Sequence, residues 1–383
     1  MILIVVFPSF KNYPERFLEY LEMQKYDNVR ELIIYTRELP EKKLKFSNKK
    51  VLIKVIQNKF KFYFGIKGLI KKDIIGRKNV VILNHFINIT NFSERFKKRY
   101  SVFIFTKFYS PNLMFFFKKY SDLKINYKQY FLYLKRSLFD IYSLYFSDAI
   151  IGNSNEIESI TKKTIAFLGI KRIILTIPTL VDTEFYNFKR KKEVSLEFTI
   201  LFVGKFLERK GSLDIIKITS LLIKSGIKFR ILVAGDLGEN LKKYAFNSSD
   251  EFNIWNYISF LGFLDKEKLR ECYQNADLML FPSYHEGSPR VVKEAMACGL
   301  PVASYDISGI RLIDRGKNVI EFAEVGHVNM LFRNVINLIG NRKQLQKMSE
   351  RGRTHIEKFF SIKVVIEKQL NKISELINYE VKN

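Results

Sequence analysis

From residue 198 onward, short apolar runs return at intervals that each leave room for one helix: 198–203, 229–234, 258–261, 278–281, 302–305 and 319–322. Such runs lack the alternation of a half-exposed sheet. They suit strands covered on both faces, and parallel pairing of such strands demands a crossover of helix length between them. The second half is therefore predicted to be a doubly wound parallel α/β sheet whose ligand binds outside the carboxyl ends of the strands. Similar runs at 2–7, 30–35, 51–56, 80–83, 102–105, 149–152 and 173–176 predict another such sheet upstream. A long helix is expected over 126–146, where Phe131, Leu134, Leu138, Ile141, Tyr142 and Tyr145 recur at three- and four-residue spacing and are expected to face a core.

A chain of 383 residues exceeds what one hydrophobic core serves. Segment 177–194, with Pro178, a loop and the basic tract 189–192, breaks the apolar rhythm and sets a domain boundary near Phe188. The expected units are 1–187 and 188–360, followed by a last helix in 361–383. No repeat of roughly 20–50 residues is visible.

The stretch 281–309, FPSYHEGSPRVVKEAMACGLPVASYDISG, spells out a helix start. Ser288 suits an N-cap, Pro289 the first helical position and Gly299 a left-handed stop, which predicts a helix over 289–298. Val291, Val292, Ala295, Met296, Ala297 and Cys298 make it apolar on most sides, so it is buried and its polar positions need partners. The turn through Gly287, Ser288, Pro289 and Arg290 then places a helix N-terminus, with its unpaired amides, where an anion such as a phosphate can sit. Glu286 lies beside that seat, and a carboxylate there needs hydrogen-bond donors, which sugar hydroxyls supply. A sugar phosphate meets both demands. A plainer arrangement also fits: a buried helix in which Arg290 and Glu294 pair at i,i+4.

Segment 258–310 resembles the retaining GT-B glycosyltransferases of family 4. Glu286 and Glu294 match their E-x7-E pair, followed by E-A-M-A-C-G-x-P-V and the small-residue turn Ile307-Ser308-Gly309. The resemblance implies two Rossmann-like domains facing across a cleft, with Glu286 toward the donor sugar's hydroxyls, Glu294 on the ribose diol and the last helix crossing back to the first domain. It also implies transfer of a sugar from a nucleotide-sugar donor to an acceptor hydroxyl, with retention and without a cofactor. No D-x-D occurs in the chain, so a metal-bound diphosphate is not expected, and helix dipole and lysines take the cation's place.

Other strand ends contribute. In GKFLERKGSLDII (204–216), Gly204 and Gly211 frame Lys205, Arg209 and Lys210, where cations can neutralise a diphosphate and the charge growing on a leaving group. The family usually has arginine and then lysine there, so Lys205 keeps the charge without the fork, while Lys210 matches. A solvated basic turn is the plainer alternative. Gly235 and Gly238 allow a tight turn near the nucleotide, and Gly262, Phe263 and Leu264 are expected to line the base pocket. The first half departs from the family pattern. Pro8-Ser9-Phe10-Lys11 stands where a glycine-rich loop is usual, and Lys107 stands where relatives place a histidine near the transferred sugar. His85 is the other candidate for that place, and each of the two is read either as a direct donor or as a surface or structural residue.

The net charge of +26 is unevenly laid, because residues 1–190 hold 35 Lys+Arg against 16 Asp+Glu and the rest 30 against 23. An anionic partner for the first half follows. Lysines interleave with bulky apolar residues in KFKFYFGIKGLIKK (59–72) and FTKFYSPNLMFFFKKY (105–120), which points to a membrane surface and to a lipid-linked, lipopolysaccharide or capsule glycan as acceptor. The plainer reading makes those lysines solvated and those phenylalanines core. No nucleic-acid motif is present, yet a basic nucleic-acid-binding protein remains an alternative, as does an epimerase or hydrolase of sugar nucleotides. Cys272 and Cys298 offer no disulfide framework, no metal-ligand cluster is seen, and the opening apolar run is too short for a signal peptide. The expected location is the cytoplasm, at the inner face of the cell membrane.

Overall fold

The computed structural model describes residues 1–7, 14–39, 51–57, 66–77, 79–84, 94–108, 131, 137–138, 140–142, 144–188, 197–236 and 254–382. The chain divides into two compact units, Met1–Pro178 with Ile362–Asn383, and Thr179–Ser361.

The first unit contains β1 (Ile2–Val6), α1 (Pro14–Met23), β2 (Glu31–Thr36), β3 (Val51–Val55), α2 (Ile66–Ile74), β4 (Val80–Asn84), α3 (Glu94–Tyr100), β5 (Val102–Phe108), β6 (Ala149–Gly152), α4 (Asn155–Phe167) and β7 (Ile173–Thr176). All seven strands pair in parallel, in the order β3-β2-β1-β4-β5-β6-β7. Every residue of β1 is buried, as an unalternating Ile-Leu-Val run in a parallel sheet requires. α2 buries Ile66, Ile70 and Ile74 at four-residue spacing, so this face of the described part of 59–72 packs in the core.

Of the stripe expected over 126–146, Ile141 packs against the core, while the other described members lie outside it. Leu144 is buried with Ile150 and Ile157, whereas Phe131, Leu138, Tyr142 and Tyr145 are exposed. Apolar residues recur at more than one helical phase in this stretch of sequence, and periodicity alone does not say which of them meet the sheet.

The second unit runs β8 (Phe198–Val203), a 3-10 turn (Glu208–Lys210), α5 (Ser212–Lys224), β9 (Phe229–Ala234), a second 3-10 turn (Ile254–Tyr257), β10 (Ile258–Gly262), α6 (Lys266–Asn275), β11 (Leu278–Phe281), α7 (Arg290–Ala297), β12 (Val302–Tyr305), α8 (Ser308–Asp314), β13 (Glu321–Ala323), α9 (Val328–Gly340) and α10 (Arg342–Phe360). Its six strands are also parallel, in the order β10-β9-β8-β11-β12-β13. β13 begins later than the apolar run that announced it. The buried Asp314 carboxylate accepts from the amides of Val319 (2.7 Å) and Ile320 (3.2 Å), which holds those residues out of the ladder.

Residues ahead of Phe188 also belong with this second unit. Val181 N–H donates to Phe360 O at 2.9 Å and pairs with Ser361 in an isolated bridge. The Arg353 guanidinium gathers the carbonyls of Tyr186 (2.7 Å), Thr183 (3.0 Å) and Ala297 (2.5 Å). The unit therefore starts at Thr179, before the boundary drawn near Phe188. The last helix, α11 (Ile362–Lys382), belongs to the first unit, burying Val365, Ile366, Leu370, Ile373 and Ile377. Tyr26 and Asn28 bond to its Lys363 carbonyl (3.0 Å) and Ser374 hydroxyl (3.1 Å).

In the second sheet the order of connection reverses between β8 and β11. Loops leaving the carboxyl ends of two such strands diverge to opposite faces, which opens a crevice where ligands of doubly wound sheets bind. Among the described residues no helix is long and apolar enough to cross a membrane.

Candidate active site

Around that crevice the loops are drawn together by glycines. A Cβ on Gly211 would lie 2.1 Å from Pro282 O, one on Gly235 2.1 Å from Gly204 O, and one on Gly309 2.1 Å from Glu286 O and 2.8 Å from Gly287 O. Backbones at these distances leave no room for a side chain. Gly204 (φ 136) and Gly235 (φ 151) also need backbone conformations closed to other residues. The loops after β8, β9 and β11 and the start of α8 thus form one packed platform.

On it, the Lys210 ammonium bonds directly to the Glu286 carboxylate, and Ser283 Oγ donates to the same Glu286 Oε1 at 3.2 Å. The sequence had placed these two residues on different parts of a donor; the fold makes them partners. Lys205 is exposed and makes no part of that pair. Behind them, Tyr284 and Tyr305 both donate to Asp214 Oδ2, at 2.7 and 2.9 Å. Burial and that bond push the Tyr284 hydroxyl up to about 12, so it remains a donor at neutral pH.

The helix after Glu286 begins one residue later than predicted. Pro289, at φ −66 and ψ 121, is the cap residue, and α7 starts at Arg290. Ser288 does not cap it, because its Oγ accepts from Lys293 Nζ at 3.0 Å and lies 3.1 Å from Thr179 Oγ1. Gly299 does adopt the left-handed conformation, φ 79, beyond the last turn. The first amides of α7 have no partners within the helix, and its positive end points into the turn Gly287-Ser288-Pro289.

Glu294 is buried in the middle of α7. Tyr273 Oη donates to its Oε2 at 3.2 Å, and Arg290 Nη2 lies 3.9 Å from its Oε1, the i,i+4 arrangement that the residues alone also allowed. Burial first, and then the Glu294 carboxylate, raise the Tyr273 hydroxyl well above its ordinary range, which keeps it a donor. At the end of β10, Gly262 turns at φ 67, Phe263 is 81 % exposed and Leu264 packs on the core. An aromatic ring held out at a strand end is available for stacking.

In the first unit, Lys107 is neither a surface residue nor a free donor. Its side chain is 1 % exposed, bonds to Glu19 Oε1 at 2.8 Å and lies over the Tyr20 ring at 5.0 Å. It ties β5 to α1. Removing one partner of a buried pair strands the other charge at a cost of about 3–5 kcal/mol. Lys107→Met is accordingly expected to unfold at markedly lower denaturant, and Glu19→Leu combined with Lys107→Met to recover most of the loss in the same equilibrium measurement. His85 and Gly238 lie outside the described residues.

Several residues that bear on the site escaped the sequence reading, among them Ser283, Tyr273 and Lys293. The signal for Lys293 was available: it is a lysine inside the apolar run VVKEAMA, with Val292, Ala295 and Met296 as its neighbours. Among the described residues no group of three or more His, Cys, Asp or Glu could hold a metal ion.

With this geometry in place, comparison with known proteins is informative. Residues 184–355 match the family glycosyl transferases group 1. This span lies wholly within the second unit, which holds the Lys210–Glu286 pair and α7. The amylovoran biosynthesis glycosyltransferase AmsK of Erwinia amylovora is 30% identical over 138 residues, which cover 34% of this chain and 33% of that protein. Such alignments span about a third to a half of the curated relatives' length. Among solved structures, the sucrose-phosphate synthase of Thermosynechococcus elongatus superposes with a TM-score of 0.70 at 14% identity, covering 99% of this chain and 100% of that one. Anabaena HepE, solved in complex with UDP, superposes at 0.67 with 12% identity, covering 98% and 100%. The chain has the GT-B fold, built from two Rossmann-like parallel-sheet units.

Proposed function

We propose that this protein is a glycosyltransferase that moves a sugar from a nucleotide-sugar donor to an acceptor hydroxyl during surface polysaccharide assembly. The observation that carries the reading is the Lys210–Glu286 pair beside the opening of α7, at the switch point of the second sheet. An anion is favoured there by the helix end and by lysine, and Glu286 offers an acceptor to hydroxyls next to it. The two demands match a sugar joined to a diphosphate. HepE's complex with UDP and AmsK's part in amylovoran biosynthesis agree with this assignment.

In the proposed reaction, the bond between the sugar's anomeric carbon and the diphosphate oxygen breaks as the acceptor oxygen bonds to that carbon. The acceptor's proton passes to the departing phosphate. Attack from the face that the diphosphate leaves gives retention. Lys210 and the N-terminus of α7 stabilise the charge that grows on the diphosphate, Glu286 orients the sugar and Glu294 holds the ribose. Lys205, Gly204 and Gly235 border the phosphates, while Gly262, Phe263 and Leu264 border the base. The donor itself is the only small molecule the reaction requires.

The acceptor is proposed to be a glycan on a lipid carrier at an anionic membrane surface. Lysine and arginine predominate in the first half of the chain, and Leu138, Tyr142 and Tyr145 stand exposed. The decisive assay follows nucleoside diphosphate release from UDP-, GDP- and ADP-sugars, with and without a lipid-linked saccharide. Release that depends on the acceptor supports transfer. Release without it indicates a hydrolase, a changed sugar without release an epimerase, and salt-sensitive binding of oligonucleotides alone a nucleic-acid-binding protein.

A further inference from the structure

Lys293 is fully buried on α7, one residue before Glu294, yet its side chain serves a different neighbourhood. A buried ammonium is costly unless hydrogen bonds surround it, and a methionine would fill the same space without that cost. Lysine here is explained by what it fastens. Its Nζ donates to Thr179 O at 2.7 Å, to Thr179 Oγ1 and to Ser288 Oγ at 3.0 Å, and lies 5.5 Å from the centre of the Phe360 ring.

These contacts mark special points of the chain. Thr179 is the first residue of the second unit, and Phe360 is the last residue but one. The two are joined through Val181, whose N–H donates to Phe360 O at 2.9 Å. Ser288 belongs to the turn between Glu286 and α7, the proposed phosphate seat. Thr179 reinforces the link, since its hydroxyl lies 3.1 Å from Ser288 Oγ and 3.3 Å from Ser288 O. One ammonium therefore holds the seat in register with both ends of the unit.

We infer that Lys293 is a positioning residue for the donor's diphosphate: by tying Ser288 to Thr179 it fixes the Gly287–Pro289 turn in the shape that receives phosphate, without touching the donor itself. This rests on the glycosyltransferase reading of the same site. It assigns Lys293 to the phosphates alone, because Glu294, on the ribose, is held separately by Tyr273.

The test is calorimetric titration with a nucleoside diphosphate and with the matching nucleoside, starting from whichever of UDP, GDP and ADP the wild-type chain binds most tightly. Lys293→Met is expected to weaken the diphosphate at least about tenfold, the scale of one hydrogen bond to a charged group, and to leave the nucleoside unchanged. Thr179→Val, which keeps the carbonyl acceptor, is expected to show the same selectivity at about threefold, and the double variant to be no worse than Lys293→Met alone. Equal weakening of diphosphate and nucleoside would mean a purely structural lysine and would overturn the inference, as would an unchanged diphosphate affinity. Should Lys293→Met fail to fold, Thr179→Val decides by the same two criteria. Failure of the underlying reading is seen separately, in a wild-type chain that binds none of the three diphosphates, and it removes the inference as well.

Discussion

Glu294→Ala is expected to abolish most of the thermal stabilisation that a nucleoside diphosphate confers on the wild-type protein. At about 100 times its dissociation constant a ligand adds roughly 2.7 kcal/mol to folding stability. Glu294 is buried on α7, with Tyr273 Oη donating to one oxygen at 3.2 Å and Arg290 at 3.9 Å from the other. In the proposed site, hydrogen bonds from a ribose diol to this carboxylate are charge-assisted, worth about 1.5–3 kcal/mol each, so losing them cancels the ligand's effect at the same concentration. The substitution also orphans the Tyr273 hydroxyl in a buried place, at about 1–3 kcal/mol of stability without ligand. The comparison must therefore be made between liganded and free forms of the same variant. Glu294→Gln keeps an acceptor for Tyr273 and is expected to restore the free protein's stability more than its nucleotide response. A wild-type ligand shift in a folded Glu294→Ala protein would rule out the ribose role.

Lys210→Met is expected to slow diphosphate release from the nucleotide sugar by about 100- to 1,000-fold, the range seen when one donor aimed at developing charge is removed. Donor affinity should fall much less. The reason is differential: in the proposed reaction the ammonium meets more negative charge as the sugar departs than it does in the bound ground state. In the free protein Lys210 is occupied by Glu286, with both side chains largely shielded from water. An incoming diphosphate can share the ammonium, whereas methionine leaves Glu286 facing the phosphates with no cation between them. Lys205→Met, at an exposed position, supplies the contrast and should change turnover by well under tenfold. Steady-state release assays on the two variants read the difference directly. Equal effects at the two lysines would remove Lys210 from the reacting phosphates.

Much of the fold could be read in advance because a parallel strand covered by helices on both faces has few options. The runs at 198–203, 229–234, 278–281 and 302–305 became β8, β9, β11 and β12 without a shift. Errors arose where a side chain competed for the backbone or where periodicity had two solutions. Asp314 withdrew Val319 and Ile320 from β13, and Lys293 withdrew Ser288 from capping α7. The aromatics Tyr142 and Tyr145 were expected in a core and lie outside, whereas Leu144 and, in part, Ile141 meet the core there.

What the chain determined by itself was local and periodic: which segments become buried strands, where a helix follows Glu286, and that Gly299 ends it in a left-handed turn. Those properties depend on a residue and its near neighbours. The partners were settled only by tertiary structure: Lys210 on Glu286, Tyr273 on Glu294, Lys107 on Glu19 and Lys293 on Thr179 and Ser288. Tyr273–Glu294 and Lys107–Glu19 join separate elements, Lys210 reaches from a 3-10 turn to the loop before α7, and Lys293 reaches from α7 back to the first residue of its unit. Such pairings follow from sheet order, and sheet order follows from the packing of all strands together, which no single stretch of sequence contains.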